Sequence, residues 1–138
     1  MALNQKTLTI AIMDPPYESE NSTTALRIVH EALAQGHHVT VFAYEGAVNQ
    51  TMKAQKPHPN PAHGTTVEEE QHPTTKDWVA GLFEFAKAKG AQSDWINCGM
   101  CVDERGAGEW IDGPRRGGPK DFLDASAASD ATLVIATK

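Results

Sequence analysis

Only two cysteines occur among the 138 residues, Cys98 and Cys101, and they stand three positions apart. Such a pair cannot staple a secreted scaffold, so the sequence points to a reducing compartment, the cytoplasm. Positive charge is also scarce: 12 Lys and Arg stand against 18 Asp and Glu, a formal net charge of −6. That deficit argues against nucleic acid or an anionic membrane surface as the main partner, because either would need a basic patch. No apolar run approaches the ~20 residues needed to span a bilayer. The N-terminus, MALNQKTLTIAIMD, lacks a long apolar stretch and a small-residue cleavage site, so it does not read as a signal peptide. A dinucleotide fingerprint is missing too. DPPYES follows the first apolar run, and 106-GAGEWI-111 lacks a third glycine and does not lie between that strand and its helix. What remains has the length and the apolar content, 40%, of one globular domain with its own core.

The chain alternates between two hydrophobic periods. Residues 8-LTIAIM-13 are a short apolar run with β-branched members, as in a strand buried on both faces. After the turn-forming 14-DPPYESENS-22, Asn21 or Ser22 is placed to cap a helix over residues 23–35. Gly36 supplies a left-handed terminator, and 38-HVTVFAY-44 forms a second strand. Strand, helix, strand with short connections is a βαβ unit, which implies parallel strands. Residues 45–74, rich in proline and histidine, interrupt this order as one long irregular loop. Helical period returns at 76-KDWVAGLFEFAKAK-89, where Trp78, Leu82 and Phe85 mark the apolar stripe. A third strand, 93-SDWINC-98, then delivers Cys98 at its carboxyl end. The glycine-rich turn 112-DGPRRGGP-119 leads to a helix over residues 119–128 with Pro119 at its first position, and 131-ATLVIAT-137 closes as a buried strand. The expected fold is a single α/β domain over residues 1–138. It is Rossmann-like or flavodoxin-like, with a parallel sheet of four or five strands flanked by helices.

In such sheets, ligands gather outside the carboxyl ends of the strands. The C-x-x-C pair, the loop after the first strand and the long loop after the second all open onto that edge. A thiolate there is the nucleophile for attack on a sulfane sulfur. Asp103 and Glu104 oppose its ionisation if they face inward, and Arg105, Arg115 and Arg116 favour it. Other uses of the pair stay open. A thioredoxin-like redox pair would open a well-formed helix, whereas VDERGAGEW contains two glycines. A zinc site needs four ligands, of which C-x-x-C gives two; His58, His63 and His72 could complete it but read better as solvated loop residues. Plain burial of two small residues is the bland alternative.

Taken together, these features resemble the DsrE/TusD-like family of sulfur-relay proteins. The resemblance runs through Pro16-Tyr17, Gly36-His37, 39-VTVFAY-44, Glu45-Gly46 and Val48. It is sharpest at 98-CGMCVDERG-106, which looks like the C-G-x-C-x-x-x-R-G motif of two-cysteine members. The resemblance implies that Cys98, eight residues before Gly106, accepts sulfur and that Cys101 is the additional thiol of that branch. It also implies a carrier that holds a persulfide or thiosulfonate and uses no organic cofactor and no metal. A rhodanese-like donor, a TusA-like acceptor and a homotrimer or homohexamer are implied with it, in sulfur oxidation or sulfur relay. The long Pro/His-rich segment departs from the compact single-cysteine members.

Four further residues are candidates for substrate contact. Arg115 and Arg116 stand in a glycine loop before a helix N-terminus and suit an anion such as thiosulfate, or else form a solvated charged turn. Arg105 belongs to the motif and either meets the anion or anchors the loop. Tyr17 could donate a hydrogen bond to a persulfide or pack the first turn. Of the tryptophans, Trp78 belongs to the core, Trp110 packs in the core or lines a docking surface, and either Trp95 or Ile96 is free to meet another subunit. His30, His37 and His38 read as structural or exposed.

Overall fold

The computed structural model describes residues 4–59 and 62–137. The first three residues of the N-terminal reading, and Asn60 and Pro61 of the Pro/His-rich segment, lie outside the described residues.

Five parallel strands form one sheet: β1 (Thr7–Ile12), β2 (His38–Ala43), β3 (Ser93–Cys98), β4 (Arg115–Gly117) and β5 (Ala131–Ile135), in the order β4-β3-β2-β1-β5. The central strands carry the longest β-branched and aromatic runs because they are covered on both faces. Helices α1 (Glu20–Ala34) and α3 (Thr75–Ala88) cover one face, where Leu26, Val29, Leu33, Val79 and Leu82 meet Ile10, Val41 and Trp95 in the main core. On the other face a smaller cluster joins Phe42, Val48, Ile96, Cys98, Cys101 and Val102. This second cluster lies beneath α4 (Gly99–Arg105) and the first turn of α5 (Pro119–Ala128), whose Phe122 stacks on Phe42 at 5.4 Å. Among the described residues no helix is long and apolar enough to cross a membrane.

Several local expectations change. Ser19, rather than Asn21 or Ser22, caps α1: its hydroxyl accepts from the Asn21 N–H at 3.1 Å and donates to Asp14. Ser22 is instead buried, with its hydroxyl on the Pro15 carbonyl at 3.0 Å. The buried stripe of α3 is Val79, Leu82 and Ala86; Trp78 and Phe85 flank it, half-buried. The segment 45–74 is not one irregular loop. It opens with a 3-10 helix at Glu45–Thr51 and holds a four-residue helix, α2 (Val67–Glu70), closed by a Thr66–Glu69 capping box.

The Arg-Arg-Gly of the glycine-rich turn is itself a strand, β4, registered against Ile96, Asn97 and Cys98. Three residues without apolar alternation carry no periodic signal, so only tertiary pairing reveals it. The final strand departs the other way. β5 is apolar but not buried: it pairs with β1 alone, and Leu133 and Val134 are 40% and 58% exposed. Trp95 and Ile96 are both fully buried on opposite faces of the sheet, so neither meets another subunit.

Candidate functional site

Cys98 ends β3 and caps α4, and Cys101 lies on the first turn of that helix. A helix therefore does open at the C-x-x-C, contrary to what the two glycines of VDERGAGEW suggest. It is short because Gly106 takes the left-handed conformation (φ 57°) and stops it after Arg105. Both thiols are free and nearly buried, at 7% exposure. Met100, between them in sequence, projects outward at 68%.

The two thiols share the second cluster, three residues apart at the junction of β3 and α4. Burial pushes the Cys101 thiol up from its ordinary value, and the neighbouring Cys98 thiol adds to this; an N–H from Glu45 opposes both. The Cys101 Sγ accepts the Glu45 N–H at 3.1 Å, presented by a residue in the left-handed region (φ 51°). The same glutamate binds Arg105: Nη2 donates to the carboxylate Oε2 at 2.6 Å, and Nη1 donates to the Cys101 carbonyl at 3.5 Å. Arg105 is thus a clasp between the 3-10 helix and α4. Next to Glu45, Gly46 lets the chain lie against Pro15, whose Cδ would be 2.8 Å from a Cβ added there. Tyr44 stacks on Phe42 at 5.5 Å, and burial raises its phenol, followed by the charges of Glu45 and Cys101.

The glycine between the cysteines has a steric reason. A Cβ on Gly99 would fall 2.5 Å from Nε of Arg116, so the guanidinium lies where a side chain would otherwise be. Arg116 forms a two-point pair with Asp103, at 3.1 and 2.5 Å. That pair holds the Asp103 carboxyl below the usual carboxylate range and Arg116 firmly protonated, and Cys98 contributes to the latter. The acidic residue that threatened the thiolate is therefore neutralised by the arginine beside it.

The other candidates are dispersed. Arg115 turns to Asp94, at 3.0 Å, and to Asp121, at 3.2 Å, and so joins β3, β4 and α5 rather than the thiols. Asp121 also accepts the Gly118 N–H at the start of α5. Tyr17 is exposed and meets His58 edge-on at 5.8 Å. It lines a cavity of about 330 Å³ between α1, α3 and the Pro/His-rich segment, none of whose walls belongs to the thiol cluster. Trp110 is half-buried beside that cluster, its indole N–H on the Pro114 carbonyl. His30 stacks on Phe85, while His37 and His38 accept backbone N–H groups from Lys6 and Gln92. Among the described residues, no three His, Cys, Asp or Glu side chains converge as a metal site would require.

Two contributors carried no recognisable role in the sequence. Glu45 was visible only as half of a Glu-Gly pair; its contact with Cys101 spans 56 residues and uses the backbone. Asn97 is fully buried behind Cys98, accepting from the Trp95 indole at 3.1 Å and donating to Thr51 at 2.9 Å. It fixes the strand end to the 3-10 helix that carries Glu45.

Comparison with known proteins agrees with this fold. The ychN protein from E. coli has a solved structure that is similar at a TM-score of 0.65 and 22% identity. The similarity covers 94% of this chain and 98% of that one. No curated protein matches the chain. The model of the DsrE/DsrF-like family matches residues 6–135, a span that holds all five strands and both cysteines, and the chain belongs to that family.

Proposed function

We propose that this protein is a cytoplasmic sulfur carrier or sulfurtransferase that loads sulfur on Cys98. The observation that carries the proposal is the pairing of two free thiols in one cluster at the carboxyl end of β3 with Arg116 beside them, against Gly99, in a chain of this family. In loading, the Cys98 thiolate attacks the outer sulfur of a donor persulfide. A new S–S bond forms at Cys98, the donor's S–S bond breaks, and the donor leaves as a thiolate. With a thiosulfonate donor the product is a Cys98 thiosulfonate adduct, whose anionic group would lie near Arg116. The donor we favour is rhodanese-like and the acceptor TusA-like, with a homotrimer or homohexamer as the working form. The exposed apolar Leu123, Leu133 and Val134 support such an assembly.

Intact-mass measurement after exposure to polysulfide or tetrathionate tests the proposal. The wild type should gain sulfur or a thiosulfonate group, and Cys98→Ser should not. Equal loading of Cys98→Ser would reject Cys98 as the acceptor.

The opening of α4 at the C-x-x-C favours a second reading, a dithiol oxidoreductase. Its test is turnover with a disulfide substrate, which a carrier alone would not reduce catalytically.

A further inference from the structure

The loading reaction uses Cys98 and leaves Cys101 without a task. Its place in the fold limits what it can do. The Cys101 sulfur shares the second cluster with Cys98, Phe42, Val48 and Val102, and is buried to the same degree as Cys98. Its neighbours are the Cys98 thiol and the Glu45 N–H. Cys98 caps the helix on whose first turn Cys101 stands, and both sulfurs lie in one buried cluster, so an attack between them is intramolecular. The electrophile within reach is therefore whatever Cys98 has become.

Resting on the proposed loading of Cys98, we infer that Cys101 is a resolving thiol that discharges the Cys98 persulfide as hydrosulfide. Cys101 attacks the inner sulfur, Sγ of Cys98. The Cys98–Cys101 disulfide bond forms, the bond to the outer sulfur breaks, and that sulfur leaves with the electron pair as hydrosulfide. The proton lost by Cys101 goes to solvent. The outer sulfur is thereby reduced, and the two protein thiols are together oxidised by two electrons. A dithiol reductant then returns the disulfide to two thiols.

Geometry favours attack at the inner sulfur over transfer of the outer one. The inner sulfur of a Cys98 persulfide is Sγ itself, held at the end of β3 in the cluster that also holds Cys101. The Glu45 N–H, fixed at 3.1 Å, stabilises the attacking thiolate without needing a mobile base. Arg105 is a positioning residue for this step, because it holds the Glu45 carboxylate and the Cys101 carbonyl at once. The protein would then have two outlets for one loaded sulfur: transfer to an acceptor that arrives in time, or release as hydrosulfide when none does.

The experiment follows reduced wild type, Cys101→Ser and Cys101→Ala after inorganic polysulfide treatment and rapid desalting, by intact mass, peptide mapping and sulfide assay. The wild type should lose its adduct, release about one sulfide per loaded chain and end with a Cys98–Cys101 disulfide that dithiothreitol reverses. Both variants should keep sulfur on Cys98 and release none. Equal persistence of the adduct in wild type and variants would overturn the discharge step while leaving loading intact. If no protein with Cys98 acquires sulfur, loading itself fails and the discharge falls with it. Because the disulfide is sought in the wild type, misfolding of a variant cannot decide the result.

Discussion

The two faces of the sheet are built differently. Under α1 and α3 lies a continuous core in which Trp95, Leu26, Leu33 and Ile10 are almost wholly inaccessible. The opposite face has a smaller cluster, half of it contributed by the cysteine segment, and α5 there buries no residue completely. The first face supplies stability. The second holds thiols within a short distance of the surface, under Met100 and beside paired charges, where a reactive group must be reachable yet protected from idle chemistry. Among the buried side-chain atoms, Gln50 Oε1 is without a partner in the structure, next to an otherwise satisfied network through Ser22 and the Asp14 carbonyl.

Breaking the comparison calls first for Trp95→Ala on the sealed face. It removes the largest fully buried side chain and the indole bond to Asn97, and should cost about 3–5 kcal/mol in denaturant unfolding. A loss below about 1 kcal/mol would mean that this face is not the main store of stability. Gly117→Ala should cost less, on the order of 1–3 kcal/mol, because its Cβ would fall 2.5 Å from Ile96 Cγ2 and 2.8 Å from Asp121 Oδ2.

On the thiol side, Gly99→Ala should leave unfolding nearly unchanged, since the group it meets is a flexible guanidinium end. It should slow sulfur loading of Cys98 several-fold by displacing Arg116, as read by mass against time. Unchanged loading would remove Arg116 from the chemistry. Alkylation sharpens the same point: labelling of Cys101 should remain slow at neutral pH and rise only above the ordinary thiol range. Folding raises this thiol's pKa, so the folded state binds its proton more tightly. That share of stability is intact at neutral pH and is lost as pH climbs through the raised value. The smallest effect is expected for Leu123→Ser, within about 0.5 kcal/mol for the single chain. Its consequence should instead be a weakened assembly, measured by light scattering.

How much of this was readable beforehand varies by element. β3 and α5 follow their sequence limits residue for residue, because a β-branched or aromatic run and a proline-started amphipathic segment are local signals. The 3-10 helix after β2 was hidden by its resemblance to the irregular segment that follows it. β5 misled in the opposite sense: ATLVI reads as buried, but burial depends on having a neighbour on each side, and β5 has one. In the site, the cysteines could be named from their spacing at a strand end, and Arg105 from the family motif that the segment resembles. Grouping Tyr17 and Arg115 with them assumed that residues at one edge of a sheet share one site, and the structure sends both elsewhere.

The sequence by itself determined the alternating α/β order, the carboxyl-end placement of the C-x-x-C and its family, because periodicity and short motifs act over a few neighbouring residues. Only the tertiary structure decided that Glu45 reaches Cys101, that Arg116 occupies the space left by Gly99, and that both thiols are buried in one cluster with Phe42 and Val48. Those contacts join positions far apart in the chain, and the packing of strands against one another, rather than any local preference, brings them together.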